Sequence, residues 1–190
     1  MIKLLFLSGS TRRNSHNKKL AQLGAKLAQQ DGVQTKFIDL LDYPMPIYNG
    51  DDEEKSGLPE NAKKLKKIFV EHDGFFIASP EYNSSLSALL KNSLDWISRV
   101  HEQDELSLVA FAGKVSAISA ASPGGLGGIK GLVPLRMMLG NIGVHVIPKQ
   151  VAISSAFKAF DQDGNLLDLT QLEMLEGVVK QFVEVTKKLK

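Results

Sequence analysis

Nine consecutive residues, Gly9-Ser10-Thr11-Arg12-Arg13-Asn14-Ser15-His16-Asn17, crowd hydroxyl, amide and guanidinium groups into one short segment. An apolar run from Ile2 to Leu7 precedes it, and a segment of helical period follows at Leu20, Leu23, Gly24, Leu27 and Ala28. The run is too short and too aliphatic for anything but a buried strand, so the donors fall where a first strand hands over to a first helix. The opening N–H groups of a helix have no partners inside it, and with the helix dipole they make a site for an anion. Ser10, Ser15 and Asn17 add neutral donors, and Arg12 or Arg13 adds a planar charged fork suited to phosphate. Capping a helix takes one hydroxyl or amide. The larger set here points to binding of a phosphate monoester.

Two further loops have the composition of a site. Pro80-Glu81-Tyr82-Asn83 follows a third apolar run. Its proline fixes the exit angle, Tyr82 offers a flat face, and its exposed N–H groups can read the polar edge of a ring. Gly124-Gly125-Leu126-Gly127-Gly128 follows a fourth run, and backbone without side chains can approach a flat ligand closely.

Competing chemistries lack their residues. No Gly-Lys-Ser/Thr follows the first loop, and Gly9 stands without the further glycines of a dinucleotide fingerprint, so Asp39 at the end of strand two carries no ribose assignment. No Gly-x-Ser-x-Gly elbow is present. His16, His72, His101 and His145 have no metal-ligand spacing, and no metal is expected. Lys63-Lys64-Leu65-Lys66-Lys67 lies on an amphipathic helix without interleaved aromatics, which fits a solvated face and not nucleic acid. Trp96 with Leu86, Leu89, Leu90 and Ile97 makes an apolar stripe suited to a core or a subunit interface.

The elements that must position these loops can be read from periodicity. Strands are predicted at Ile2–Ser8, Gln34–Asp39, Gly74–Ser79, Lys114–Ala121 and His145–Ala152, and helices at Asn17–Gln30, Pro59–Glu71, Leu86–Val100, Ile129–Ile142 and Thr170–Leu189. Gly74–Ser79 is continuously apolar, as a strand covered on both faces must be. The alternation predicts an α/β fold, a doubly wound five-stranded parallel sheet in three layers. The donor loops then converge outside the carboxyl ends of strands one, three and four, where ligands of such sheets bind. Leu41–Leu58, with its acidic run Asp51 to Glu54, is predicted as a solvated loop.

The chain has 190 residues, enough for a single domain with a full core. Its net charge of +2 is too small to argue for nucleic acid. It has no cysteine, which removes disulfides, thiolate metal sites and a cysteine nucleophile, and is compatible with a reducing cytoplasm. The polar residues after Leu7 carry no small-x-small cleavage pattern, so export is not expected, and no apolar stretch approaches the ~20 residues of a membrane span.

Taken together, Gly9 to Asn17, Ser79-Pro80-Glu81-Tyr82-Asn83-Ser84, Leu90-Lys91-Asn92-Ser93-Leu94-Asp95-Trp96, and Gly127-Gly128 with Leu135-Arg136 resemble the NADPH-dependent FMN reductase family. That family is flavodoxin-like and includes quinone, azo-dye and chromate reductases. The resemblance implies that Ser10, Arg12, Ser15 and Asn17 hold the FMN phosphate, with His16 contributing through its backbone. It implies that Pro80, Glu81, Tyr82 and Asn83 line the ring and ribityl chain, and that Ser122, Gly124 and Gly125 close the other side. After Asn83 the family often has Ser-Ile-Pro-Gly opening the next helix, where this chain has Ser85-Leu86-Ser87-Ala88. The implied activity is hydride transfer from NADPH to FMN and on to a quinone, flavin, azo or oxyanion acceptor by ping-pong exchange, with no catalytic acid or base. A homodimer or homotetramer is implied, with the Asp95-Trp96 helix near the interface. The alternatives are an FMN-binding electron carrier and a module that has lost its cofactor. A pI near 8.7 counts against the first, since such carriers present an acidic face. The donors of the first loop count against the second.

Overall fold

The computed structural model describes every residue from Met1 to Lys190. Six strands form one sheet: β1 (Lys3–Ser8), β2 (Gln34–Asp39), β3 (Gly74–Ala78), β4 (Val115–Ala121), β5 (His145–Val146) and β6 (Val151–Ile153). The order is β2-β1-β3-β4-β5, β6 also pairs with β4, and every pairing is parallel. The helices are α1 (His16–Gln30), α2 (Gly50–Ser56), α3 (Glu60–Val70), α4 (Ala88–Ile97), α5 (Ile129–Asn141) and α6 (Leu169–Leu189).

Side chains alternate across each strand, so the sheet feeds two cores. Leu4 and Phe6 of β1 pack with Leu20 of α1 and with Leu175 and Phe182 of α6. Leu5 and Leu7 pack with Leu65 of α3, Leu90 of α4 and Leu135 of α5. Each of these fully buried side chains contributes roughly 1.5–3 kcal/mol. The result is three layers with a flavodoxin-like strand order. No helix is long and apolar enough to cross a membrane.

Two expectations need correction. The strand predicted at His145–Ala152 is broken between Val146 and Val151. Pro148 has no N–H to give a ladder. Arg136 of α5 fills the break, donating to the carbonyls of Val146, Ile147 and Pro148 and to the side chain of Gln150. The sheet is therefore five positions wide with a sixth strand piece.

The Leu41–Leu58 segment, expected as a solvated loop, carries structure. It holds a 3-10 turn at Leu40–Asp42 and the short helix α2, capped by the Asn49 side chain. Asp51, Asp52 and Glu53 stand in the first turn of α2, where the helix dipole favours them. Trp96 Nε1 and Asn92 Nδ2 of α4 both donate to Pro46 O, and Tyr48 N donates to Asn92 Oδ1. Tyr48 also sets its ring edge-on to Trp96 at 5.0 Å. The apolar stripe of α4 thus serves the core, and its polar edge holds this strap.

Candidate functional site

The strand order reverses direction at β1, which lies between β2 and β3, and the crevice opens at the carboxyl ends on the β3 side. There the loops after β1, β3 and β4 meet around a cavity of about 100 Å³. Ser10, Arg12, Ser15, His16 and Asn17 contribute from the first loop and the start of α1. Pro80, Glu81 and Tyr82 come from the second loop, and Ser122 comes from the third with Ala121 and Pro123, which sequence reasoning did not single out. Asn83, Gly124 and Gly125 stand in the same loops but outside this cavity.

Close packing sets the first loop. A Cβ on Gly9 would meet Leu90 at 3.0 Å and Pro80 at 3.3 Å, so glycine allows the loop to lie on α4. Ser87 Oγ donates to Gly9 O and also accepts from Leu90 N, capping α4. This capping serine does the work of starting α4 in a chain without the family's proline there, and it moves the helix start from the expected Leu86 to Ala88.

Ser15 is the N-cap of α1, accepting from Lys18 N. Ser10 Oγ accepts from Arg12 N at 3.3 Å. Both hydroxyls keep a proton to donate. No group in the chain accepts from the N–H of His16 or Asn17. Neither Arg12 nor Arg13 forms an ion pair, and both are exposed. Lys18, by contrast, is buried and bound to Asp39 at the end of β2. The His16 ring nitrogen Nδ1 is buried without a partner. Burial, then the charges of Arg12 and Lys19, hold its pKa below the ordinary histidine value.

Asn17 also has a structural task. Its side-chain amide holds backbone: Nδ2 donates one N–H to Ala121 O and Oδ1 accepts from Ala121 N, both at 2.9 Å. The second N–H of Nδ2 and the backbone N–H have no acceptor within the chain.

The second loop is a tight hairpin. Tyr82 N donates to Ser85 O and Ser85 N to Tyr82 O, and the residues between, Asn83 and Ser84, have φ of 51° and 65°. Two positive φ values mark a type I′ turn. The turn leaves Tyr82 half exposed. Glu81 Oε2 accepts from Gly131 N at 3.2 Å, so this carboxylate caps the first turn of α5 and ties the hairpin to it.

In the third loop, Gly127 has φ of +63°, and a Cβ there would strike the backbone of Ala152 at 2.7 Å. That glycine is fixed by β6. Around Gly125 nothing lies within 4 Å of a would-be Cβ, so its face is open.

A sequence model described as NADPH-dependent FMN reductase matches residues 2–158, which includes all three loops. The chain belongs to the NADPH-dependent FMN reductase family. It is 36% identical over 176 residues to an NAD(P)H-dependent FMN reductase of Pseudomonas aeruginosa, covering 92% of this chain and 90% of that one. It is 33% identical over 194 residues to an NADPH:quinone oxidoreductase of Arabidopsis thaliana, covering 100% of this chain and 94% of the relative. Among solved structures, the flavoenzyme NAD(P)H:(acceptor) oxidoreductase FerB of Paracoccus denitrificans superposes with a TM-score of 0.83 at 28% identity, covering 99% of this chain and 98% of that one. Membership makes this an oxidoreductase fold that takes FMN and NAD(P)H. The residues present fit that cofactor. Free helix N–H groups, unpaired arginines and an orphaned buried imidazole nitrogen suit a phosphate, and the open glycine face suits a flat ring.

Proposed function

We propose that the chain is an NAD(P)H-dependent FMN reductase that delivers reducing equivalents to a small-molecule acceptor of the quinone, flavin, azo or oxyanion class. One observation carries this: phosphate donors without internal partners share a cavity with an aromatic hairpin at the switch point of a family-typical sheet. Ser10, Arg12, Ser15 and the backbone N–H groups of His16 and Asn17 hold the FMN phosphate. Pro80, Glu81, Tyr82 and Asn83 border the ring and ribityl chain, and Ser122, Gly124 and Gly125 close the opposite side. Bound FMN supplies the hydride chemistry. The protein binds, orients and sets the local electrostatics. The N–H groups of Gly125, Leu126 and Gly128, which have no acceptor within the chain, would stabilise negative charge on a bound ring. No side-chain acid or base is required.

Donor and acceptor occupy one face of the site in turn. Steady-state NADPH oxidation with a quinone, varied against each other, therefore gives parallel double-reciprocal lines. Intersecting lines contradict shared occupancy, and absence of turnover with a bound flavin favours an electron carrier.

The working form is a homo-oligomer. Leu126 of the third loop and Ile129, Val133 and Met137 of α5 form an exposed apolar stripe next to the Glu81–Gly131 contact, and such a stripe favours burial against a second copy. Light scattering on the eluted protein tests this, with a monomer at micromolar concentration as the contrary result.

A further inference from the structure

We propose that the imidazole of His16 is a proton-linked donor of the phosphate site, aligned by Phe160 from the hairpin that precedes α6. The proposal rests on the reading of this cavity as the FMN phosphate site, and it adds a side chain to a residue so far credited only with its backbone.

The His16 ring lies nearly parallel to that of Phe160, with centroids 6.3 Å apart and planes at 10°. Phe160 is itself fixed. It bridges to Leu166, Asp161 N donates to Asn165 O, Asn165 N donates to Asp161 Oδ1, and Leu167 N donates to Ala159 O. The same segment is tied to the third loop, where Ser155 N donates to Gly124 O and Ala156 N to Ser122 O. The orientation of the ring is therefore set by contacts that do not depend on a ligand.

The charges that shift the ring are positive, and Glu81, the carboxylate that lines the same cavity, is engaged with Gly131 N. Arg12 from the loop and Lys19 from α1 are the charges that act on it. Lys19 Nζ also sits 5.9 Å from the centre of the Phe160 ring. The positive end of α1 adds to them, since His16 is the first residue of the helix. The hairpin presents the neutral Phe160 ring, and its Lys158 and Asp161 do not enter. No carboxylate lies within ion-pair reach of His16. Without ligand the ring is therefore neutral near pH 7, with Nδ1 buried and unpaired.

A phosphate monoester brings about −1.5 to −2 charges at neutral pH. Placed beside Arg12 it reverses the local field and favours the imidazolium, in which both ring nitrogens are donors. Binding then draws a proton from solvent onto His16. By linkage, affinity gains as pH falls toward the pKa of the loaded ring.

The test is calorimetric titration of the full-length protein, freed of flavin, with FMN at pH 7.5 in two buffers of different ionisation heat. At that pH the FMN phosphate is already a dianion, so net proton uptake reports the protein. Wild type is expected to take up protons and His16→Gln is expected not to. The ratio of FMN Kd between His16→Gln and wild type should rise from pH 8 to pH 6, by about tenfold for each pKa unit the phosphate adds to the ring. Riboflavin, which has no phosphate, should give a flat ratio. Phe160→Leu should lower the uptake and Phe160→Tyr should keep it; equal uptake in both would remove Phe160 as the positioning residue. FMN binding without proton uptake and with a flat ratio overturns the role of His16 and leaves the FMN site intact. Failure of wild type to bind FMN at any pH overturns the site reading itself. Should His16→Gln not fold, wild-type uptake alone decides.

Discussion

The side chain of Asn17 grips the backbone of Ala121 from both sides, donating to its carbonyl and accepting from its N–H at 2.9 Å each. Helix α1, which presents the phosphate donors, is thereby bolted to the end of β4, from which the third loop departs. Asn17→Ala leaves two buried backbone groups unpaired, at a cost of about 2–4 kcal/mol. Urea unfolding of the flavin-free protein should show this loss. An unchanged midpoint would mean that the bolt contributes nothing.

Arg12 is exposed and makes no internal ion pair, so its removal should spare the fold. Arg12→Ala loses a charge-assisted phosphate contact of about 1.5–3 kcal/mol, or roughly 10- to 150-fold in FMN affinity. Fluorescence titration measures this, and the urea midpoint should stay put. Wild-type affinity in the variant would take Arg12 out of the site.

Ser84 occupies the second positive-φ position of the type I′ turn that displays Tyr82. Glycine carries no Cβ penalty there. Ser84→Gly should stabilise the protein by about 0.5–1 kcal/mol, since the relief of left-handed strain outweighs the added chain entropy. A lower unfolding midpoint in the variant would show that the Ser84 side chain makes a stabilising contribution of its own.

His72 is buried at the end of α3, with Nδ1 donating to Ile68 O, and burial holds its pKa below the ordinary value of 6.5. The unfolded chain then binds a proton that the folded chain refuses. His72 stability is therefore fully present above pH 6.5 and is lost as pH falls through the depressed folded pKa. Urea midpoints should drop between pH 7.5 and pH 5.5, and His72→Gln should flatten that slope. An identical slope in the variant would assign the acid sensitivity elsewhere.

Much of this arrangement is legible in the sequence because it is local. The run from Ile2 to Leu7, the donors that follow and the helical period after them fix β1, the first loop and α1 without reference to anything distant. The apolar run Gly74 to Ala78 does the same for β3 and the hairpin after it. What was misread depends on partners far along the chain. An amide in a donor-rich loop looks like a ligand group alone, and only the fold shows that Asn17 also anchors Ala121, 104 positions away. The strap around Pro46 reads as a polar loop because its anchors, Asn92 and Trp96, lie on another helix. Two signals were present and local: Pro148, which interrupts the last strand, and Ser87, which caps α4.

The central claim is that this chain holds FMN and reduces it with NAD(P)H. The most direct test is the visible spectrum of the purified protein after addition of FMN and removal of the excess, followed by NADPH without oxygen. The expected result is a retained flavin spectrum that bleaches on NADPH and returns when a quinone is added. A protein that retains no flavin, or one whose flavin spectrum is unmoved by NADPH and by NADH, would contradict it.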